Sequence, residues 1–180
     1  MLELKDATLI INGRKLFENL SLMAQDGQIT CVTGTTASGK TALIQVMLGI
    51  LSLDEGLVSI DGELLTPLSA PTFRRMMAYV PQPREVTLKQ AEPDIIGLET
   101  IWSPFNSRRY QLTAIDELLD VEPMASKPII IVDDPELQMA SRLKSLAVGG
   151  HTVIIASTQE DFIHMSDKII TLENHDTVNS

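Results

Sequence analysis

Apolar residues along this chain switch repeatedly between two spacings, and the switches outline its elements. Residues 2–11 carry strand-type spacing through Leu2, Leu4, Leu9 and Ile11, and Asn12-Gly13 then reads as a turn. A second short strand is expected over 20–23, followed by a turn at Asp26-Gly27. Residues 28–33 form a dense apolar strand with Ile29, Cys31 and Val32, and a glycine-containing loop follows. From 40 to 51 the composition favours helix, with Leu43, Ile44, Met47 and Leu48 among the apolar positions. Residues 57–60, Asp61-Gly62 and 63–65 predict a hairpin, and 77–80 predict a strand closed by Pro81. The signal weakens over 82–107, where Pro83, Pro93 and Pro104 interrupt any long element, and helical spacing returns over 108–119. The last third alternates: strand 129–132, helix 136–147, strand 153–156, short helix 160–165, strand 168–172. Continuous aliphatic strands separated by helices indicate an α/β fold with a parallel sheet covered on both faces.

Composition narrows the partners. The 180 residues suit one domain, 1–180, with 44% hydrophobic and 21% charged residues, so the chain is expected to fold. The formal net charge of −10 disfavours nucleic acid and anionic lipid, because the basic pairs Arg74-Arg75 and Arg108-Arg109 are too few to form a patch. Cys31 is the single cysteine and excludes an intrachain disulfide. The charged start, residues 1–6, does not read as a signal peptide, and no apolar run is long enough for a membrane span. A cytoplasmic setting without direct membrane insertion is the expectation.

The segment Gly34-Thr35-Thr36-Ala37-Ser38-Gly39-Lys40-Thr41 fits the pattern Gly-x-x-x-x-Gly-Lys-Ser/Thr between an expected strand and an expected helix. Glycines let backbone N–H groups converge on phosphate oxygens, and the following helix adds the positive end of its dipole. Residues 34–42, Ala42 included, are therefore candidates for binding a nucleoside triphosphate. Lys40 is expected to reach the β- and γ-phosphates, and the Thr41 hydroxyl to ligate Mg²⁺. Asp133, at the end of an aliphatic strand, is a second candidate for the magnesium shell; the competing expectation is a helix-capping aspartate with Pro135 in the first turn. Its neighbour Asp134 is placed to orient or deprotonate an attacking water.

Further stretches resemble the nucleotide-binding domain of ABC transporters. Gly56-Leu57-Val58-Ser59-Ile60-Asp61-Gly62-Glu63, then Arg74-Arg75-Met76-Met77-Ala78-Tyr79-Val80-Pro81-Gln82, are similar to that family's approach to its Q-loop. Ile129 to Pro135 is similar to its Walker B strand, and Thr152 to Leu172 to its switch strand and the elements after it. The resemblance implies a P-loop NTPase with a mainly parallel central sheet, an N-terminal antiparallel β-subdomain and a helical subdomain reduced to about 83–127. It also implies ATP and Mg²⁺ as cofactors, and Gln82 as a residue contacting magnesium and water.

The departures imply altered chemistry. No Gly-Gly occurs between Gln82 and Asp133, so the resemblance implies deletion of the family's signature loop, which clamps the opposite subunit's γ-phosphate. The family's catalytic glutamate falls on Asp134, one methylene shorter, and its switch histidine on Thr158. The aromatic that stacks on adenine falls near Ile11, which lacks a π face. Trp102, Phe105 and Tyr110 are read as the local core of a small helical cap rather than a docking patch. The expected function is an ATP-binding subunit of an ABC-type transport system, with weak or absent hydrolysis on its own. It would associate with a membrane transport subunit, and an intact ATPase subunit is a further candidate partner. The alternatives are an active ATPase energising transport, and a non-catalytic interaction or regulatory module.

Overall fold

The computed structural model describes residues 1–81 and 127–173. Gln82 and the expected helix over 108–119, together with the aromatic trio, lie outside the described residues.

Among the described residues, nine strands form two sheets. The first is antiparallel, in the order β2-β1-β4-β5, from β1 (Leu2–Ile11), β2 (Arg14–Ala24), β4 (Glu55–Ile60) and β5 (Glu63–Leu64). The second is wholly parallel, in the order β6-β7-β8-β3-β9. Its strands are β3 (Ile29–Gly34), β6 (Met77–Val80), β7 (Ile129–Asp133), β8 (Thr152–Ala156) and β9 (Lys168–Leu172). Among the described residues, four α-helices accompany them: α1 (Lys40–Met47), α2 (Ala70–Arg74), α3 (Ala140–Val148) and α4 (Glu160–Met165).

The parallel sheet is buried on both faces because side chains alternate along each strand. In β7, Ile129 and Ile131 join a core shared with Leu43, Ile44 and Met47 of α1 and with Leu2, Leu4, Phe17 and Leu22 of the antiparallel sheet. Ile130 and Val132 point the other way, into a core with Leu143 of α3 and Phe162 of α4. Parity continues past the apolar run, so Asp133 falls on the α1 side.

Several elements depart from the expectations. β2 runs over 11 residues rather than four, because β1 templates it from Leu2↔Ala24 to Ile11↔Arg14 despite register shifts. Those irregularities, with positive φ at Asp6 and Asn19, break the alternation that would have revealed it. α1 ends at Met47, short of residue 51, where Arg74 Nη1 donates to the carbonyls of Leu48 and Gly49 at 3.2 and 3.3 Å. The expected helix over 136–147 is a 3-10 turn at Leu137–Met139 followed by α3. Pro135 therefore stands outside any helical first turn, which removes the capping alternative for Asp133. α2 was not anticipated; five residues are too few to declare a helical period.

Candidate functional site

The carboxyl ends of β3, β7 and β8 converge on one edge of the parallel sheet, where ligands bind in open α/β folds. β3 delivers the loop 34–39, β7 delivers Asp133 and Asp134, and β8 leads to Ser157 and Thr158. A cleft of about 430 Å³ opens there. Thr36 to Ala42 line it with Asp133, Asp134 and Thr158, and Arg14 and Leu16 of β2 complete the wall.

The loop geometry requires its glycines. Gly34 has φ +146°, and a Cβ there would lie 2.5 Å from the Leu172 carbonyl oxygen and 2.6 Å from Ser38 Oγ. Gly39 has φ +95° and sits against Leu16, 3.2 Å from a hypothetical Cβ. Between them Ala37 is also left-handed, with φ +62°. The Ser38 N–H donates to Thr35 O at 3.1 Å, tightening the curl.

Lys40 reaches back across this curl. Its Nζ donates to Gly34 O at 2.7 Å and Thr35 O at 2.9 Å. Thr41, one residue into α1, turns to the sheet, and its Oγ1 donates to Asp133 Oδ2 at 3.0 Å. Asp133 is 5% exposed, whereas Asp134 is half-buried and Thr158 is exposed. Asp134 takes a left-handed conformation, φ +50°, and its N–H donates to Ala156 O at 2.8 Å. The strand-end turn is thereby pinned to β8. Gln159 Nε2 adds a second tie to Pro135 O at 3.0 Å.

The expected site residues separate into three groups. Thr36, Ala37, Ser38, Gly39, Lys40, Thr41, Ala42, Asp133, Asp134 and Thr158 meet at the cleft. Gly34 and Thr35 stand behind it as acceptors for Lys40. Ile11 is not among the lining residues; it packs partly buried against the larger core. Arg14 and Leu16 occupy the wall on that side, and periodicity did not single them out. Their only sequence signal is the Asn12-Gly13 turn, which starts β2 close to the loop.

The donor set suits a polyphosphate and a small hard cation. Ser38 Oγ is buried without a hydrogen-bond partner inside a loop of convergent backbone. Thr41 and Asp133 bring oxygen donors together beside the lysine. Among the described residues, no cluster of three or more His, Cys, Asp or Glu could hold a metal by protein ligands alone. The hydroxyl–carboxylate pair of Thr41 and Asp133 fits magnesium, which keeps few protein ligands and takes the rest from phosphate and water.

The family model described as ABC transporter matches residues 17–139, more than half of the 180-residue chain. The chain is 27% identical over 140 residues to a probable ABC transporter ATP-binding protein of Azorhizobium caulinodans, covering 75% of this chain and 49% of the relative. It is 22% identical to a spermidine/putrescine import ATP-binding protein of Pasteurella multocida, covering 96% of this chain and 55% of that protein. A third relative, an Fe(3+) ions import ATP-binding protein of Pectobacterium atrosepticum, is 32% identical over 84 residues, 46% of this chain and 24% of its own length. The chain thus spans only a quarter to about a half of these curated relatives. A solved ATP-binding subunit of an ABC transporter superposes with a TM-score of 0.72 at 16% identity, over 97% of this chain and 86% of that one. With its phosphate loop at the end of β3, the Thr41–Asp133 pair across the sheet edge and a family match over more than half its length, the chain belongs to the ABC transporter family.

Proposed function

We propose that the chain is an ATP-binding subunit of an ABC-type transport system that binds Mg·ATP and hydrolyses it weakly or not at all on its own. The observation that carries the reading is the Thr41–Asp133 hydrogen bond at 3.0 Å, within the same cleft as Lys40. A hydroxyl and a carboxylate held together in this way support a cation site beside the β- and γ-phosphates. Gly34 to Ala42 would cradle the phosphates, and Thr41, Asp133 and Gln82 would complete the magnesium shell. Bound magnesium supplies charge neutralisation along the polyphosphate.

Weak hydrolysis is inferred from the other groups. A general base must come within hydrogen-bond reach of the water it activates, and Asp134 is one methylene shorter than the glutamate usual in the family. Thr158, at the exposed lip, offers a single hydroxyl in place of an imidazole. Without a signature loop, the chain lacks the segment that would close over a partner's γ-phosphate. It would therefore work beside a membrane transport subunit, and an intact ATPase subunit is the natural donor of the missing groups. In this arrangement it sits at the cytoplasmic face of the membrane as a peripheral subunit.

Isothermal titration with Mg·ATP, paired with a phosphate-release assay, tests the reading. Binding is expected for the wild type and loss of binding for Lys40→Ala, with phosphate release near background. Robust turnover that Asp134→Asn stops would replace this reading with an active ATPase. No binding at millimolar ATP would favour a non-catalytic regulatory module.

A further inference from the structure

Arg14 belongs to the cleft although no phosphate-loop pattern includes it. It is the first residue of β2, directly after the Asn12-Gly13 turn, and its half-buried side chain lines the same cleft as Lys40, Asp133 and Asp134. Its Nη2 lies 3.5 Å from the carbonyl oxygen of Ala37, at the apex of the loop. The guanidinium is therefore beside the backbone that would cradle phosphate, at the loop end of the cleft.

Formal charge gives this position its meaning. Asp133 and Asp134 bring two negative charges to the cleft wall and Lys40 one positive charge, so without Arg14 the lining residues total −1. The chain around them carries −10. Such a cleft would repel a polyanion at long range. Arg14 brings the lining to zero, and a planar guanidinium also offers a fork of donors matched to phosphate oxygens. Lysine on the neighbouring position does not do this. Lys15 is half-buried outside the cleft lining and pairs with Glu18 at 2.5 Å.

We propose that Arg14 is a second cationic ligand of the polyphosphate, approaching from β2 while Lys40 approaches from the loop. The inference rests on the nucleotide-binding reading above and assigns a residue to that same site. Its contact is to phosphate, so the base and ribose are not needed for it to act.

Isothermal titration on the full chain with ATP and with inorganic tripolyphosphate tests this, using wild type, Arg14→Gln, Arg14→Lys, Lys40→Ala and Lys15→Gln. Arg14→Gln is expected to weaken both ligands by about tenfold, and Arg14→Lys by about threefold, since charge survives and the fork does not. Lys15→Gln, which removes one positive charge from the same strand outside the cleft, is expected to bind as wild type. Circular dichroism and thermal melting establish that each variant is folded; if Arg14→Gln is not, Arg14→Lys is judged by the same comparison. Unchanged binding of both ligands by the folded Arg14 variants, with Lys40→Ala still defective, overturns the inference and leaves the nucleotide reading intact. Loss of ATP binding with tripolyphosphate unaffected also overturns it, by moving Arg14 to the nucleoside. Wild type that binds neither ligand removes the nucleotide reading and this inference together.

Discussion

Asp133 and Asp134 are adjacent in sequence and differ in surroundings. The first continues the inward parity of β7 and accepts a hydrogen bond from Thr41; the second turns left-handed toward the cleft and solvent. On the proposed function, Asp133→Asn should abolish the advantage that magnesium gives to ATP binding. Titrations in excess EDTA and in excess Mg²⁺ should then coincide for the variant, while the wild type separates them by about tenfold. Cys31 behaves oppositely to a functional residue. Burial in β3 pushes its thiol above its ordinary value of 9.0, so the folded state holds the proton more tightly than the unfolded chain. This stability is fully present below about pH 9 and declines as pH rises beyond it. Urea midpoints for wild type and Cys31→Ala should diverge in pH dependence only above that point. Ellman's reagent should label the native thiol slowly at pH 8 and at once in urea.

Among the elements, legibility followed physical simplicity. β7 and β8 are buried on both faces, so their aliphatic runs announced them, and their ends placed Asp133 and Thr158 at one edge. Alternation marks only four residues of β2 because its irregular pairing with β1 breaks the two-residue period, and only the partner strand defines its length. Arg14 and Leu16 stayed hidden for the same reason: their place at the cleft depends on that pairing and on Gly39 closing against Leu16. The phosphate loop was legible because its glycines, lysine and threonine are each demanded at fixed spacing. Gly34→Ala should therefore cost at least about 2 kcal/mol of stability, since both its φ and the Leu172 carbonyl exclude a methyl group. Arg74→Met should cost about 1 kcal/mol, by stripping the two carbonyls at the end of α1 of their donor. Chemical denaturation measures both.

At the scale of the molecule, the two cores meet along the parallel sheet, and α1 joins the larger core directly to the phosphate loop. Ligand held by the loop is thus coupled to global unfolding. On the proposed function, Mg·ATP at 100 times its dissociation constant should add about 2.7 kcal/mol to stability. For a chain of this size that corresponds to a rise in Tm of about 5–10 °C. Differential scanning fluorimetry should record the rise for the wild type and none for Lys40→Ala.

β3 carries the phosphate loop yet is flanked in the sheet by β8 and β9, which lie more than a hundred residues further along the chain. The Leu172 carbonyl packs directly over Gly34, and Gly34 pairs with Leu172 in register. During synthesis the loop sequence leaves the ribosome early, but its walls arrive late. A stalled nascent chain lacking residues 168–172 would display every residue of the phosphate loop without the strand that packs over Gly34, so binding competence is expected to wait until β9 has been made.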